Sequence, residues 1–453
     1  MKKLKNRKEV KELKIKRTGR FKVKPSHPDY EMIKLHTIEA KEIYNYANYI
    51  IRQLFFKKSG KENFSLDFIN EYPELAEDFN IYISEKLQFT STFYRIICKF
   101  SRIKKYSINS KMVQNIVDIL KRDWKSYWKL LKLKLESKYT KNINIPRYKK
   151  KYSAVEYNPQ VISKNKLKNR YIGTSKMNKG FKIPKFYKGY NFKSSRVIWK
   201  NGFLYMETVY EKEVPEKRKI KKVAAVDLGG KILMSIAYNF NRRGISISAN
   251  MLRSLNHYYN KMIGIMTSLL PKGIRISKAI QNLWRKRDEQ VRNLLGYYAN
   301  KLIKEFKLIG IDKFIIGKNK EQKQEIDLHS KLENRNFCMI PFNKLVEILK
   351  YKCEENGIEC MEQEESYTSK ASFLNNDFMP VYGEKNKDYE FSGWRNGRTY
   401  KIKGKNQKIH ADYNGALNIM RKAGHELIEK VCFFYTDWIF PAGKFKVRNL
   451  NYI

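Results

Sequence analysis

Residues 223–249 read Val-Ala-Ala-Val-Asp-Leu-Gly-Gly-Lys-Ile-Leu-Met-Ser-Ile-Ala-Tyr-Asn-Phe-Asn-Arg-Arg-Gly-Ile-Ser-Ile-Ser-Ala. Three apolar runs, Val223–Asp227, Ile232–Asn239 and Ile245–Ala249, predict a three-strand meander. The first run ends on an acid, just before Leu228-Gly229-Gly230 turns the chain. Helical periodicity follows at Met251–Leu269 and Lys278–Lys307, then a fourth strand at Lys313–Gly317. A helix over Pro341–Asn356 is stopped by Gly357, a fifth strand spans Ile358–Glu364, and a last helix lies within 410–424.

Three antiparallel strands, then helix, strand, helix, strand and helix, is the layout of the RNase H fold, an α/β class with sheet order 3-2-1-4-5. Phosphodiester cleavage on that fold needs acids gathered at one end of the sheet to hold two divalent cations about 4 Å apart. Hard cations such as Mg²⁺ take oxygen ligands. Asp227 ends the central strand. It also reads as a turn-forming Asp. Asp412 opens the last helix, His-Ala-Asp-Tyr-Asn-Gly-Ala-Leu-Asn-Ile-Met-Arg-Lys-Ala-Gly, four residues before Ala416 on the face of Ala416, Ile419, Met420 and Ala423. Its plain reading is an N-cap. Asn414, Asn418 and Arg421 share a second, polar face, and Gly424 closes the helix. The third acid is expected from strand four, but that strand ends Ile316-Gly317-Lys318-Asn319-Lys320. Strand five, about 9–10 Å from strand one at ordinary spacing, ends Glu362-Gln363-Glu364-Glu365. Glu365 is the choice, with Glu364 as reserve, and either also reads as a solvated strand end.

Lys and Arg number 94 against 45 Asp and Glu, a net charge of +49 in 453 residues, which implies a polyanionic partner. Aromatic residues make up 14% and add stacking surface for unpaired bases beside their share of the core. The five cysteines, Cys98, Cys338, Cys353, Cys360 and Cys432, form no C-x-x-C pair, so neither a disulfide framework nor a zinc ribbon is suggested. No apolar run reaches membrane-span length, and the Lys-rich start has no apolar signal core. The expectation is a soluble intracellular protein with no membrane partner.

The first half is less patterned. Alternation in Val10–Leu13–Ile15 and Phe21–Val23 predicts strands. Residues 26–140 read as helices, including Tyr30–Phe56, Leu87–Lys104 and Lys111–Leu135. The last interleaves Trp124, Tyr127 and Trp128 with Lys121, Arg122, Lys125 and Lys129. It reads as a phosphate-facing helix, or as an amphipathic helix with Trp inside and Lys in water. After Ile145-Pro146-Arg147-Tyr148-Lys149, short strands return at Gly180–Ile183, Ser195–Trp199 and Phe203–Tyr210, the last two joined by Lys200-Asn201-Gly202.

Four motifs carry a family resemblance: Val-Asp-Leu-Gly at 226–229, Gly-Lys-Asn-Lys-Glu-Gln-Lys-Gln at 317–324, Glu-Glu-Ser-Tyr-Thr-Ser-Lys-Ala-Ser-Phe at 364–373 and Ala-Asp-Tyr-Asn-Gly-Ala-Leu-Asn-Ile at 411–419. With Leu255-Asn256-His257-Tyr258-Tyr259-Asn260-Lys261, they make residues 223–424 resemble TnpB, the RNA-guided nuclease of insertion sequences related to compact type V CRISPR effectors. Gly317 and Glu365 resemble the branch, shared with the eukaryotic Fanzor relatives, in which the strand-four Glu is replaced and a Glu precedes a Thr-Ser pair. Ala371 stands where a Cys of a zinc ribbon is common, and residues 371–408 hold no Cys, so no zinc is expected.

The resemblance implies a β-barrel wedge-like domain at 1–25 and 141–220, a helical recognition insert at 26–140, and a RuvC-like nuclease domain at 221–453 with a Cys-free insert at about 371–408. It implies two Mg²⁺ ions, or Mn²⁺, on Asp227, Glu365 and Asp412, a guide RNA and double-stranded target DNA. The setting would be the prokaryotic cytoplasm and, when bound to DNA, the nucleoid. Nucleic-acid contacts are expected at Lys121, Arg122, Lys125, Arg147, Tyr148, Arg285, Arg287, Lys318, Lys320, Lys323, Thr368, Ser369 and Lys370. For Arg285-Lys286-Arg287, solubility is an equal reading. Rival readings are a nuclease-inactive guided repressor, an unguided nuclease or recombinase on the same fold, and a non-catalytic RNA-binding protein.

Overall fold

The computed structural model describes residues 13–58, 71–84, 89–183, 191–217, 219–318, 330–380, 390–404, 408–427 and 435–438. The chain divides into two compact units, residues 14–212 and residues 213–453 together with the first 13.

The first unit contains β1 (Leu13–Lys22), α1 (Tyr30–Lys58), α2 (Ala76–Ser84), α3 (Ser91–Ile103), α4 (Ser110–Leu135), β2 (Val155–Tyr157), α5 (Lys164–Lys168), β3 (Tyr171–Ile172), β4 (Phe181–Lys182), β5 (Asn191–Lys200) and most of β6 (Phe203–Val214). Side-chain oxygens of Thr90 and Asn109 cap α3 and α4. On α4, Val113, Ile116, Val117, Leu120 and Trp124 are buried, while Trp128 is 48% exposed. The amphipathic reading of that helix therefore holds for its first half. Trp124 donates its indole N–H to Asn48 Oδ1 at 3.0 Å. Strand order is β1-β6-β5-β2. Among the described residues the pairings leave β1 and β2 at the edges and do not close a barrel. The β5–β6 hairpin turns through Asn201 (φ 50°) and Gly202 (φ 74°), the left-handed pair that matches strand twist.

The second unit is built on one mixed sheet. Its strands are β7 (Val223–Asp227), β8 (Ile232–Tyr238), β9 (Gly244–Ser248), β10 (Lys313–Gly317), β11 (Glu359–Gln363) and β15 (Tyr435–Trp438). The order is β11-β10-β7-β8-β9-β15. Strands β7, β8 and β9 are antiparallel neighbours, whereas β10 and β11 run parallel to β7. The first five strands thus adopt the expected 3-2-1-4-5 order. Strand β15, parallel to β9, was not anticipated.

Helices α6 (Asn250–Ser268), α7 (Lys278–Ile309), α8 (Lys331–Cys338) and α9 (Phe342–Glu354) carry the connections. A small antiparallel sheet of β12 (Gly393–Asn396), β13 (Thr399–Ile402) and β14 (Lys408–His410) occupies the segment expected as a Cys-free insert, and β14 runs straight into α10 (Ala411–Lys422). No helix among the described residues is long and apolar enough to cross a membrane.

Side-chain alternation along the strands decides what meets what. Ala224 and Val226 join one core with Leu294, Leu295, Tyr298 and Leu302 of α7. Val223, Ala225 and Ile315 join a second core with Ala416, Leu417, Ile419 and Met420 of α10. Asp227 and Gly317 continue this second face at the strand ends. In register, Ile316 is level with Val226 and Gly317 with Gln363, so all three strand ends finish on one rim beneath α10.

Candidate active site

The α10 helix approaches that rim closely at two glycines. A Cβ on Gly415 would lie 2.6 Å from Asp227 Oδ2. A Cβ on Gly317 would lie 2.7 Å from Glu365 Oε2 and would also overlap Ile419. The acid missing from β10 is therefore a vacancy with a use: the Glu365 carboxylate, arriving from beyond β11, stands where a side chain of residue 317 would be.

Asp227 lies near enough to Glu365 for its charge to act on that carboxylate. Burial first, and then the charge of Asp412, push the Asp227 carboxyl up to about 7. Burial, then Asp227 and Glu364, push Glu365 up to about 8. Like charges drawn out of water resist ionising together. Glu364 has a different fate. It accepts from the Ser366 amide at 2.6 Å and from Lys422. Burial raises its carboxyl, but Lys422 and Ser366 outweigh that and hold it below the usual range. Of the two candidates for the third acid, Glu365 is the one on which the charge of Asp227 acts.

Asp412 lies in the first turn of α10, but the cap position is His410 and no side chain caps the helix. The N-cap reading of Asp412 is thereby replaced. Its Oδ1 accepts from Arg395 Nη2 at 2.7 Å. Arg395 comes from β12, and its positive charge also lowers Asp227. Sequence reasoning missed this residue, because Gly-Trp-Arg-Asn in a short strand carries no periodic signal. Asp227 and Asp412 open onto a cavity of about 350 Å³ whose wall also carries Lys231, Arg253, Ser369 and Arg395. Glu365 is not part of that wall and stands beside Gly317 instead.

As the side chains stand, no group of three His, Cys, Asp or Glu among the described residues forms a metal-holding array. The donor set nevertheless suits a hard divalent cation. It consists of carboxylate oxygens from three separate elements, two of them in glycine-made cradles, with mutual repulsion that a cation would relieve.

The remaining predicted residues scatter. Thr368 is 4% exposed and its hydroxyl donates to the Glu365 carbonyl at 2.8 Å, which gives it a task inside the loop. Ser369 and Lys370 are exposed beside the site. Lys318 pairs with Glu362 at 3.2 Å. Lys320 and Lys323 lie outside the described residues. Arg285 is held by Glu289 at 2.6 Å and by Asn282. Arg287 donates to Asn256 Oδ1 at 3.0 Å. In the first unit, Lys121 and Lys125 are exposed on α4 and Arg122 pairs with Glu156 at 3.0 Å. Arg147 is exposed, and Tyr148 lies 4.6 Å beneath the Arg52 guanidinium.

Comparison with known proteins adds an independent line. A family model described as OrfB_IS605, a probable transposase, matches residues 207–323. A Cas12f1-like TNB domain model matches residues 342–419. The chain is 25% identical over 228 residues to the TnpB-like protein ORF457 of Acidianus two-tailed virus, a match covering 48% of this chain and 45% of that protein. It therefore spans a little under half the length of that curated relative. Among solved structures it is similar to a Cas12f1–sgRNA–target DNA complex, at TM-score 0.49 and 15% identity over 86% of this chain and 82% of that one. It is also similar to CasPhi-2 (Cas12j) bound to crRNA, at TM-score 0.38 and 7% identity over 92% and 99%. The two family models follow one another along the sheet-bearing unit, and with the TnpB-like relative beside them they make residues 207–419 similar to TnpB proteins.

Proposed function

We propose that the chain is an RNA-guided DNA endonuclease. It binds a structured guide RNA, recognises a short duplex motif beside the target, and cleaves target DNA by metal-dependent phosphodiester hydrolysis in a prokaryotic cell. The observation that carries this reading is Asp227 and Asp412 on the wall of one cavity at the rim of the sheet, with Glu365 beside the vacated Gly317 and near enough to Asp227 to feel its charge. We read the six-stranded sheet as a RuvC-like RNase H domain, and the first unit as the wedge and recognition portion.

Asp227, Glu365 and Asp412 would hold Mg²⁺ or Mn²⁺. When bound, such ions supply an activated water and a counter-charge for the leaving oxygen. The chain's own residues do the rest. Near neutral pH, Asp227 and Glu365 retain protons in the absence of a cation and must release them to act as ligands, so cleavage should rise between about pH 6 and 8. Arg395 holds Asp412 in the chain alone and turns a guanidinium toward the place where a phosphate would arrive. Lys231 and Arg253 add positive charge to the cavity wall. Guide–target pairing would supply sequence specificity, while exposed cations such as Lys121 and Lys125 contact backbone.

The test is direct. The purified chain with its co-purifying RNA should cut a matching DNA in Mg²⁺ and leave it intact in EDTA. Asp227→Ala should abolish cutting and keep RNA binding. Cleavage that survives Asp227→Ala removes the site assignment. A guided repressor that binds without cutting draws on one observation, the Arg395–Asp412 pair. Binding of matched DNA with no cleavage in either Mg²⁺ or Mn²⁺ would establish it.

A further inference from the structure

Asn414 and Asn418 are both fully buried on α10. They stand four residues apart on one stripe of the helix, and neither faces water. Asn414 donates to the Ala371 carbonyl at 2.8 Å and accepts from the Phe373 amide at 2.9 Å. Asn418 donates to the carbonyls of Thr368 and Ala371, at 2.8 and 2.7 Å. One turn further on, Lys422 binds Glu364 and the Ser366 carbonyl. The stripe 414, 418, 422 thus grips the loop in reverse order, from residue 373 back to 364.

Glu365 sits inside the gripped segment, and the backbone between it and the grip is a tight turn. Tyr367 is left-handed at φ 64°. The Thr368 amide and hydroxyl both donate to the Glu365 carbonyl, at 3.2 and 2.8 Å, and the Ala371 amide donates to Tyr367 at 2.9 Å. Whatever holds the Thr368 and Ala371 carbonyls also holds Glu365. The helix doing the holding carries Asp412.

We propose that Asn414 and Asn418 are positioning residues that set where the Glu365 carboxylate stands relative to Asp412. This rests on the nuclease reading above and deepens it. Apolar packing alone would have filled these two positions with aliphatic side chains. Buried carboxamides are costly unless satisfied, and here loop backbone matches both ends of Asn414 and the amide nitrogen of Asn418, whose Oδ1 is buried without a hydrogen-bond partner. A buried amide that orients a ligand is worth about 10- to 100-fold in metal affinity or activity.

A double-mutant cycle on the RNA-bound chain tests the clamp, with Mn²⁺ binding read by calorimetry and cleavage read under the same conditions. Asn418→Ala should weaken Mn²⁺ binding by about tenfold and lower kcat by about 10²-fold, with KM for target DNA changed less than about twofold. In a Glu365→Gln background, Asn418→Ala should add nothing further. Wild-type Mn²⁺ affinity in Asn418→Ala, or an undiminished effect on top of Glu365→Gln, overturns the proposal. If Asn418→Ala does not fold, Thr368→Val, which removes only the hydroxyl on the Glu365 carbonyl, should show the same non-additivity at smaller size. Full additivity there overturns the proposal equally. If Glu365→Gln itself leaves both readouts unchanged, the nuclease site is wrong and the clamp falls with it. If Glu365→Gln acts and Asn418→Ala does not, the clamp alone is wrong.

Discussion

Asp78 and Glu207 in the first unit each lie against two cations: Asp78 against Arg95 and Lys99, Glu207 against Arg196 and Arg20. Burial raises both carboxyls, but the cations outweigh it and hold them below their usual range. At the rim of the six-stranded sheet, Asp227 and Glu365 are also drawn out of water, yet their neighbours include other acids, and both carboxyls are pushed well above their usual range. Acids that serve the fold are neutralised by the fold. The rim acids are left in conflict, a cost that persists where a ligand relieves it. The chain has 94 cations to spend on neutralising acids, so a surviving acid cluster in it is informative.

The sharpest break of this contrast is between neighbours. Glu365→Gln should slow cleavage by about 10³-fold or more, the loss of several kcal/mol of transition-state stabilisation. Glu364→Gln, which touches Lys422 rather than Asp227, should slow it by less than about tenfold. Equal effects in a single-turnover assay would erase the distinction. For an acid of the other kind, Glu207→Ala should leave Arg20 and Arg196, both partly exposed, without their shared partner and cost about 2 kcal/mol in urea unfolding, with the cleavage rate per folded molecule unchanged.

Gly317→Ala tests the vacancy. Its methyl would enter the space of the Glu365 carboxylate and Ile419, and a displacement on the order of 1 Å should cost about 10²-fold in rate. Activity like that of the unaltered chain would show that Glu365 does not depend on the vacancy.

The smallest effect is on stability against pH in EDTA. A carboxyl raised in the fold contributes stability that is complete below its unfolded pKa, near 4, and is lost as pH rises through the folded values of about 7 and about 8. Asp78 and Glu207 act in the opposite sense, since their contribution is present above about pH 4 and fades as pH falls through their depressed values. The melting temperature of Glu365→Gln should therefore gain on the unaltered chain between pH 5 and 8. A constant difference across that range would count against the conflict at the rim.

Legibility in the sequence followed the range of the interactions. Strands β7 to β11 and helices α6, α7, α9 and α10 were readable because period-2 and period-3.6 patterns are local, whereas the short helix α8 was not expected. The three acids were readable because each ends or begins such an element. Glu365 and Glu364 were inseparable until Lys422, 58 residues away, was seen to take one of them. Asn414 and Asn418 were read as a polar face, and their real partners are backbone atoms 41 to 50 residues earlier in the chain. An amide pair at i and i+4 beside an inward-facing acid was the only hint available. Arg395 offered none.

The sequence by itself determined the order of strands β7 to β11, the excess of positive charge, and that acids stand at the ends of strand β7, strand β11 and the last helix. Those follow from side-chain periodicity and from turn chemistry, which act over a few residues. Only the tertiary structure decided that Glu365 fills the space of Gly317, that Arg395 holds Asp412, and that α10 grips the loop beside it. These depend on how closely two backbones approach in space, and on which amide meets which carbonyl there. Both quantities appear only once α10 is laid across the sheet.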